Sequence, residues 1–233
     1  MPKREDYDMS GIIICLSLSG GVDSTTLYAL ALEQKMEVAP FFFVYPSKHN
    51  EMEKAAARAV AYHYETRGGR PLQIVDLQQS FSMVSSHLLE GGGEIPPAAY
   101  DEVSLAFTLV PGRNLIFASL LAAYAESLQE EATAFVGLGV HGGDHALYPD
   151  CRPEFVDALG KTISLSSDGK VGLYTPFLGL SKADIVRQGL ELSVPYELTR
   201  SCYNGGDKPC ERCATCRERE EAFVENGVVD PLL

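Results

Sequence analysis

Long apolar segments are missing from this chain of 233 residues. No run approaches the roughly 20 apolar residues that a membrane-spanning helix needs. The apolar stretch at residues 12–16 is also too short to form the core of a signal peptide. We therefore expect a cytoplasmic protein with no membrane partner.

Basic residues are scarce as well. The chain has 19 Lys and Arg against 32 Asp and Glu, which gives a formal net charge of −13. A protein that wraps nucleic acid needs a basic face, because its cations must neutralise the phosphates. The charge balance therefore argues against a nucleic-acid partner, although a local basic pocket remains compatible with it.

Strand and helix patterns alternate along the chain. Strands are predicted at residues 12–16, 38–45, 72–77 and 134–140. Helices are predicted at residues 27–32, 51–63, 115–128, 153–165 and 181–189. This alternation predicts a doubly wound, mostly parallel α/β sheet that binds ligands at the carboxyl ends of its strands. We divide the chain into a main domain, residues 1–199, and a small C-terminal segment packed on it, residues 200–233.

The strongest local signal is the segment Ser-Gly-Gly-Val-Asp-Ser at residues 19–24, here called the glycine loop. Adjacent glycines let the backbone turn tightly and present N–H groups to an anion, and the following helix adds partial positive charge. Hydroxyls of Ser19, Ser24 and Thr25 add donors, and Asp23 suits Mg²⁺ bound to phosphates. The Rossmann and Walker spacings are both absent. The plainer alternative is a turn in which Asp23 or Ser24 only caps the helix.

Four of the six cysteines crowd into fifteen residues near the C-terminus. This cysteine cluster consists of Cys202, Cys210, Cys213 and Cys216. In a cytoplasmic chain such clustering favours metal ligation over disulfides. Four thiolates suit Zn²⁺, while an iron–sulfur cluster or unliganded thiols remain open. Because four sulfur ligands leave no open coordination position, we expect the metal to be structural.

Several segments together resemble one enzyme family. The glycine loop resembles the PP-loop of the ATP pyrophosphatases. Residues 45–49, 110–114, 148–155 and 202–205, with the trailing cysteines, are similar to segments of the 7-cyano-7-deazaguanine synthase family, in the family's order. The resemblance spans nearly the whole chain.

This resemblance implies a PP-loop type α/β fold that splits ATP between its α and β phosphates. It also implies a pathway to queuosine in which 7-carboxy-7-deazaguanine is adenylated and then aminated by ammonia to an amide. A second adenylation would dehydrate the amide to the nitrile. Members of the family often form homodimers, so a homodimer is expected here.

Candidate site residues follow from the resemblance and from side-chain chemistry. We assign ATP binding to Leu18, Ser19, Gly20, Gly21, Val22, Asp23, Ser24, Thr25 and Arg113. We assign substrate binding to Tyr45, Lys48, His49, Asn114, Tyr148, Asp150 and Arg152. We assign catalytic roles to Asp23, Lys182 and His49.

The reasons differ among these residues. Asp150 can accept hydrogen bonds from a purine-like edge, and Asn114 can both donate and accept. A tyrosine could stack on the heterocycle. Arg113, Arg152, Lys48 and Lys182 suit charge on carboxylate and phosphates, and His49 could orient or deprotonate the amine. The alternatives are helix capping by Asp150 and Asn114, structural salt bridges for the two arginines, and a structural histidine.

Two stretches depart from the family pattern. Residues 45–49 are Tyr-Pro-Ser-Lys-His where the family commonly has Tyr-Gly-Gln-Arg-His, and residues 141–147 replace an acidic residue and a Ser-Gly pair. These changes leave open a deazaguanine amide ligase that stops at the amide or uses another amine. Alternatives of a different class are a tRNA-thiolating PP-loop enzyme and a zinc-knuckle binding module.

The charge run at residues 217–221 predicts an exposed helix face.

Overall fold

The computed structural model describes residues 9–93, 108–128, 133–144, 148–204, 206 and 208–233. Its strands are β1 (Ile12–Ser17), β2 (Glu37–Val44), β3 (Gln73–Asp76), β4 (Thr133–Gly137) and β5 (Val171–Tyr174). They form a sheet in the order β3-β2-β1-β4-β5, and every neighbouring pair is parallel. The predicted doubly wound parallel sheet is confirmed, and β5 is a strand that the sequence analysis missed.

Helices cover both faces of this sheet. They are α1 (Val22–Glu33), α2 (Asn50–Glu65), α3 (Arg113–Ser127), α4 (Pro153–Ser166), α5 (Lys182–Glu191) and α6 (Ala214–Glu225). Short 3₁₀ turns occur at Gly142–Asp144, Pro149–Cys151 and Tyr196–Leu198. Within the described ranges, no helix is long and apolar enough to cross a membrane.

The central strand β1 supplies both halves of the core, because successive side chains of a strand point to opposite faces. Ile13 and Cys15 pack with residues of α3 and α4 on one face. Ile14 and Leu16 pack with residues of α1, α2, α5 and α6 on the other. Burial raises the pKa of the Cys15 thiol to about 12, so this cysteine stays protonated and behaves as a small apolar residue.

The topology places a crevice beside β1. The chain moves from β1 outward to β2 and β3, and later returns to the other side of β1 to form β4 and β5. Connections after β1 and β4 therefore diverge to opposite faces of the sheet and leave a gap at the carboxyl ends of these two strands. The glycine loop begins two residues after the end of β1, so it lies at this gap.

Helix α6 corrects the prediction of an exposed charged face at residues 217–221. Arg217 and Glu220 are exposed, but Arg219 is buried and Glu218 is half-buried. Arg219 makes a two-pronged ion pair with Asp230, and its Nε and Nη2 lie 2.6 and 2.8 Å from the two carboxylate oxygens. Burial of an arginine requires such a partner, and Asp230 is eleven residues away, outside the pattern that the prediction used.

Candidate active site

A cleft opens at the carboxyl ends of β1, β2 and β4. Its lining includes most of the predicted site residues: Leu18, Ser19, Gly21, Val22, Asp23, Ser24, Tyr45, His49, Arg113, Asn114, Tyr148, Asp150 and Lys182. The structure thus brings together residues that are far apart in the sequence. Of the residues predicted to bind ATP or substrate, four do not line the cleft, namely Gly20, Thr25, Lys48 and Arg152.

The glycine loop is tied together by its own hydroxyl groups. The Ser19 and Ser24 hydroxyl oxygens lie 3.1 Å apart, and the Gly21 N–H donates to the Ser19 hydroxyl at 3.3 Å. Gly21 is the N-cap of α1 and supplies no side-chain capping bond. Gly21, rather than Asp23 or Ser24, is therefore the N-cap residue of α1, and the helix N-terminus faces the cleft as an anion site requires.

Gly20 shapes the loop from behind the cleft. Its φ of +77° is in the left-handed region, and a Cβ there would lie 2.6 Å from the backbone nitrogen of Ala57 in α2. Its carbonyl accepts a hydrogen bond from the Arg200 N–H at 2.8 Å. Both the backbone conformation and the close approach to α2 require glycine. Gly20 therefore positions the loop between α2 and the segment that leads to the cysteine cluster.

Asp23 is the centre of a charged group in the cleft. Lys182 Nζ lies 2.6 Å from Asp23 Oδ2, and His141 Nε2 lies 3.9 Å from the same oxygen. Burial disfavours the charged carboxylate, but attraction to Lys182 and His141 and the Lys182 hydrogen bond outweigh it, so the pKa of Asp23 lies below its usual value. Its other oxygen, Oδ1, is buried without a hydrogen-bond partner among the described residues.

The unpartnered Oδ1 atom bears on whether the Asp23 carboxylate fits a divalent cation. A buried carboxylate oxygen without a partner is costly unless a ligand satisfies it. Mg²⁺ is held in proteins by one or two carboxylates together with substrate phosphates. Asp23, as a residue of the glycine loop, therefore fits a magnesium ion bound to ATP.

His141 and Glu218 are cleft residues that the site prediction missed. The Nδ1 atom of His141 accepts the Gly143 N–H at 3.1 Å, which leaves Nε2 as the N–H that faces Asp23. Glu218 Oε2 lies 3.4 Å from Lys182 Nζ. His141 is the first residue of the segment 141–147, which departs from the family pattern. That departure was the feature of the sequence that could have identified His141 as a site residue. No local pattern pointed to Glu218.

The opposite side of the cleft carries a polar edge. Asp150 Oδ2 accepts the backbone N–H of Asn114 at 3.2 Å, and Asn114 Nδ2 donates to the Asp150 carbonyl at 3.2 Å. Asp150 thus accepts from an N–H in the first turn of α3. The alternative in which Asp150 caps a helix therefore accounts for this one contact of its side chain. Tyr148 lies nearby and exchanges a hydrogen bond with the Thr108 hydroxyl at 2.9 Å.

Arg113 connects this polar edge to Tyr45. Burial raises the pKa of the Tyr45 hydroxyl, although the adjacent Arg113 charge and hydrogen bond oppose the increase. The Tyr45 ring packs against Phe81 and Phe117 at centroid distances of 5.4 and 5.8 Å. Tyr45 is 5% exposed, so it offers the cleft its hydroxyl end more than its ring face.

His49 and Glu53 form a pair at the N-terminus of α2, where His49 is the N-cap residue. His49 Nε2 lies 3.5 Å from Glu53 Oε1, and the imidazole lies against Tyr203 at 5.4 Å between centroids. Burial raises the pKa of Glu53, while the His49 and Arg113 charges oppose the increase. His49 Nδ1 is buried with no hydrogen-bond partner in the described part of the chain. Glu53 was not predicted, although its spacing of four residues from His49 places both on one helix face.

Lys48 and Arg152 do not line the cleft, although their neighbours His49 and Cys151 do. Lys48 Nζ donates to the carbonyls of Gly93 and Gly92 at 2.6 and 3.2 Å. The Lys48 N–H donates to the Leu88 carbonyl at 3.0 Å, which turns this side chain toward the 88–93 segment. Arg152 is exposed. Their assignment to the substrate has no support from their positions.

The cysteine cluster has the geometry of a metal site. The four sulfur atoms all lie within 4.8 Å of one another. Backbone N–H groups of Asn204 and Cys210 donate to Cys202 Sγ at 3.4 Å, and that of Cys213 donates to Cys210 Sγ at 3.3 Å. Four thiolates about 2.3 Å from one zinc ion would be spaced about 3.8 Å apart, so a single ion fits. An iron–sulfur cluster places several atoms between its ligands and needs wider spacing.

Comparison with known sequences gives matches over nearly the whole chain. The model of the family described as "Queuosine biosynthesis protein QueC" matches residues 13–227. A 7-cyano-7-deazaguanine synthase of Archaeoglobus fulgidus is 42% identical over 221 residues, which cover 93% of this chain and 87% of that protein. The enzyme with the same name from Caldicellulosiruptor saccharolyticus is 41% identical over 216 residues, 92% of each chain.

Solved structures show the same fold in distant proteins. The NMN synthetase of Francisella tularensis aligns with a TM-score of 0.50 at 15% identity, covering 96% of this chain and 79% of that chain. The U34-tRNA thiolase NcsA of Methanococcus maripaludis, with its [4Fe-4S] cluster, aligns with a TM-score of 0.51 at 17% identity, covering 96% and 68%. At these identities the likeness establishes a shared fold alone.

Proposed function

The chain belongs to the QueC family of queuosine biosynthesis proteins, and from this we propose that it makes 7-cyano-7-deazaguanine from 7-carboxy-7-deazaguanine, ammonia and ATP. The reaction is an ATP-dependent carbon–nitrogen ligation. The substrate carboxylate attacks the α phosphorus of ATP and releases pyrophosphate, ammonia displaces AMP to give the amide, and a second adenylation removes the amide oxygen as AMP. Two ATP molecules are consumed for each nitrile.

The observation that carries this proposal is the two-sided cleft. One side holds the glycine loop and the N-terminus of α1, which suit pyrophosphate. The other side holds the hydrogen-bonded pair of Asn114 and Asp150, which suits the edge of a purine-like ring. A ligase that adenylates a deazapurine carboxylate needs both sides around the same reacting atoms.

At the phosphate side, we assign three tasks to this chain's own residues. The glycine loop directs N–H groups to pyrophosphate, and Asp23 Oδ1 holds the magnesium ion, which when bound neutralises charge on the phosphates. Lys182 lies beside Asp23 and can meet the charge that develops on the leaving pyrophosphate. Arg113, across the cleft, suits the α phosphate or the carboxylate.

At the substrate side, the Asp150 carboxylate has acceptor capacity beyond its bond to the Asn114 N–H. It can accept from the N–H groups of a guanine-like edge. Asn114 uses its amide nitrogen on the Asp150 carbonyl, so its amide oxygen is the atom that it can offer to a substrate donor. Tyr148 can cover the heterocycle, whereas the Tyr45 ring is packed against Phe81 and Phe117.

For the amine, we propose that His49 accepts a proton while Glu53 orients it. Ammonium must lose a proton before it can attack the acyl adenylate, so a base in the cleft is needed. Glu53 faces Nε2 and leaves Nδ1 as the atom that accepts a proton. We propose ammonia as the nitrogen donor, because it supplies the single nitrogen that a 7-cyano product adds.

We also propose that the cysteine cluster holds zinc, with residues 200–233 as a segment that this ion stabilises. Further expectations are a cytoplasmic location and a homodimer. For the dimer, Leu115 and Leu120 on α3 are exposed apolar side chains that a second copy could cover. Metal analysis and light scattering test the zinc and the dimer separately.

The direct test incubates the protein with ATP, Mg²⁺, ammonium and 7-carboxy-7-deazaguanine, followed by mass analysis. Nitrile with two AMP and two pyrophosphate is the expected result. Accumulated amide with one AMP would replace the proposal by an amide ligase, and ADP as the nucleotide product would overturn it. Asp157→Asn, an exposed carboxylate on α4, is the matched control for substitutions at Asp23.

A further inference from the structure

Lys182 lies between two carboxylates that come from different parts of the chain. Its Nζ is 2.6 Å from Asp23 Oδ2 and 3.4 Å from Glu218 Oε2. The side chains of Lys182 and Glu218 are 14% and 20% exposed, so the pair is shielded from most of the solvent. An ammonium group shared in this way can change its main ion-pair partner from one carboxylate to the other without leaving the cleft.

Each of the three residues is held firmly by its own element. Asp23 is in the first turn of α1, where the glycine loop runs into the helix. Lys182 is the first residue of α5, whose N-terminus is fixed by a capping box between Ser181 and Asp184. Glu218 is on α6, two residues after Cys216, and its neighbour Arg219 anchors that helix to Asp230.

Binding of magnesium changes the balance around Asp23. A divalent ion on Asp23 Oδ1 would lie close to the Lys182 ammonium, and charges of the same sign repel each other. Asp23 would then hold Lys182 less strongly than it does alone. Glu218 is the second carboxylate within reach of Nζ, on the α6 side of the cleft.

We propose that Glu218 is a positioning residue that retains Lys182 at the phosphate site when Asp23 takes up magnesium with ATP. This rests on the proposed function only in the role given to Asp23 as the magnesium ligand. Helix α6, which contains Cys216 of the cysteine cluster, thereby contributes to ATP binding through Lys182 and without touching the nucleotide.

If Glu218 acted merely as an acidic group near ATP, its replacement would change the affinity for ATP in the opposite direction. A negative charge close to the phosphates repels them, so neutralising it would strengthen nucleotide binding. A positioning role predicts weaker binding after the same change. The two accounts therefore differ in direction, and one binding measurement separates them.

The test is calorimetric titration of the full-length, zinc-loaded protein with α,β-methylene-ATP, which cannot be split at the α–β position. We expect Glu218→Gln to raise the Kd about five- to tenfold in the presence of Mg²⁺, with a much smaller change in its absence. Glu218→Asp should recover part of the loss. Glu220→Gln, an exposed position on the same helix, should bind like the unmodified protein.

Zinc content and melting temperature establish that each variant is folded. Unchanged or tighter binding by folded Glu218→Gln would overturn the proposal, as would an equal loss with and without Mg²⁺. The titration contains neither deazapurine nor ammonium. A protein that fails to make nitrile but shows the magnesium-dependent loss would therefore refute the proposed function and leave this inference standing.

Discussion

The ion pair between Arg219 and Asp230 offers a quantitative test of how the C-terminal segment is held. Both side chains are 4% exposed, and the guanidinium meets both carboxylate oxygens. Arg219 also donates to the Thr199 hydroxyl at 2.7 Å and to the Tyr196 carbonyl at 3.1 Å. The pair thus ties α6 and the C-terminal tail to the segment before the cysteine cluster.

Asp230→Ala removes the carboxylate and leaves the guanidinium buried. Loss of one partner of a buried pair costs about 3–5 kcal/mol. Because Thr199 and Tyr196 still accept from Arg219, we expect the lower end of this range, about 3 kcal/mol. For a chain of this size, each kcal/mol lowers the melting temperature by about 2–4 °C, so the expected decrease is about 6–12 °C.

Differential scanning calorimetry at pH 7 with zinc present measures this change. The matched control is Asp157→Ala, which removes an exposed carboxylate and should shift the melting temperature by about 2 °C or less. The double variant Arg219→Met with Asp230→Leu removes both charges and should recover most of the lost stability. A decrease below about 2 °C for Asp230→Ala would refute the reasoning, because it would mean that the buried charge finds water or another partner without cost.

Three further predictions concern the phosphate site, the cap of α5 and the metal. Asp23→Asn should lower AMP formation at least about 100-fold, because several kcal/mol of charge stabilisation by the metal are lost; unchanged turnover of folded protein would contradict its role. Hydrogen bonds from the Ser181 side chain and backbone hold the pKa of Asp184 below its usual value, so the stability they confer is present above about pH 4 and is lost as the pH falls through the lowered pKa. Asp184→Asn should therefore destabilise the protein at pH 7, by about 1 kcal/mol in urea unfolding, and match the unmodified protein at strongly acid pH. Cys210→Ser should reduce the bound zinc and the melting temperature together, and full zinc retention would count against the four-thiolate site.

The parts of the fold that were predicted correctly have local causes. The apolar runs of β1, β2 and β4 are continuous because both faces of a parallel sheet are covered, and such runs stand out in the sequence. The glycine loop was also predictable from local sequence, because its glycines, hydroxyls and carboxylate lie within six consecutive residues. Strand β5 (Val171–Tyr174) was missed because Gly172 interrupts its four residues and a glycine weakens a strand pattern.

Side-chain direction was harder to predict than residue type. Lys48 has the charge that a phosphate or carboxylate site needs, and it lies next to His49, which does line the cleft. Yet the backbone from Pro46 to Lys48 pairs with residues 88–90, and this pairing turns the Lys48 side chain to the carbonyls of Gly92 and Gly93. The contact that decides its direction is more than forty residues away, so no reading of neighbouring residues could supply it.

Glu218 shows why the C-terminal segment matters for the chemistry as well as for the fold. By sequence alone, alternating Arg and Glu after the cysteine cluster indicate a solvated helix face, and Glu220 fits that description. Glu218 lies two residues earlier, about 200° around the helix axis, and faces Lys182. Ser201, Tyr203 and Glu218 all line the cleft. If the metal only stabilised a remote segment, its removal by a chelator would leave ATP binding unchanged. If the metal sets the position of α6, its removal should change the magnesium-dependent affinity for ATP while the main sheet is still folded.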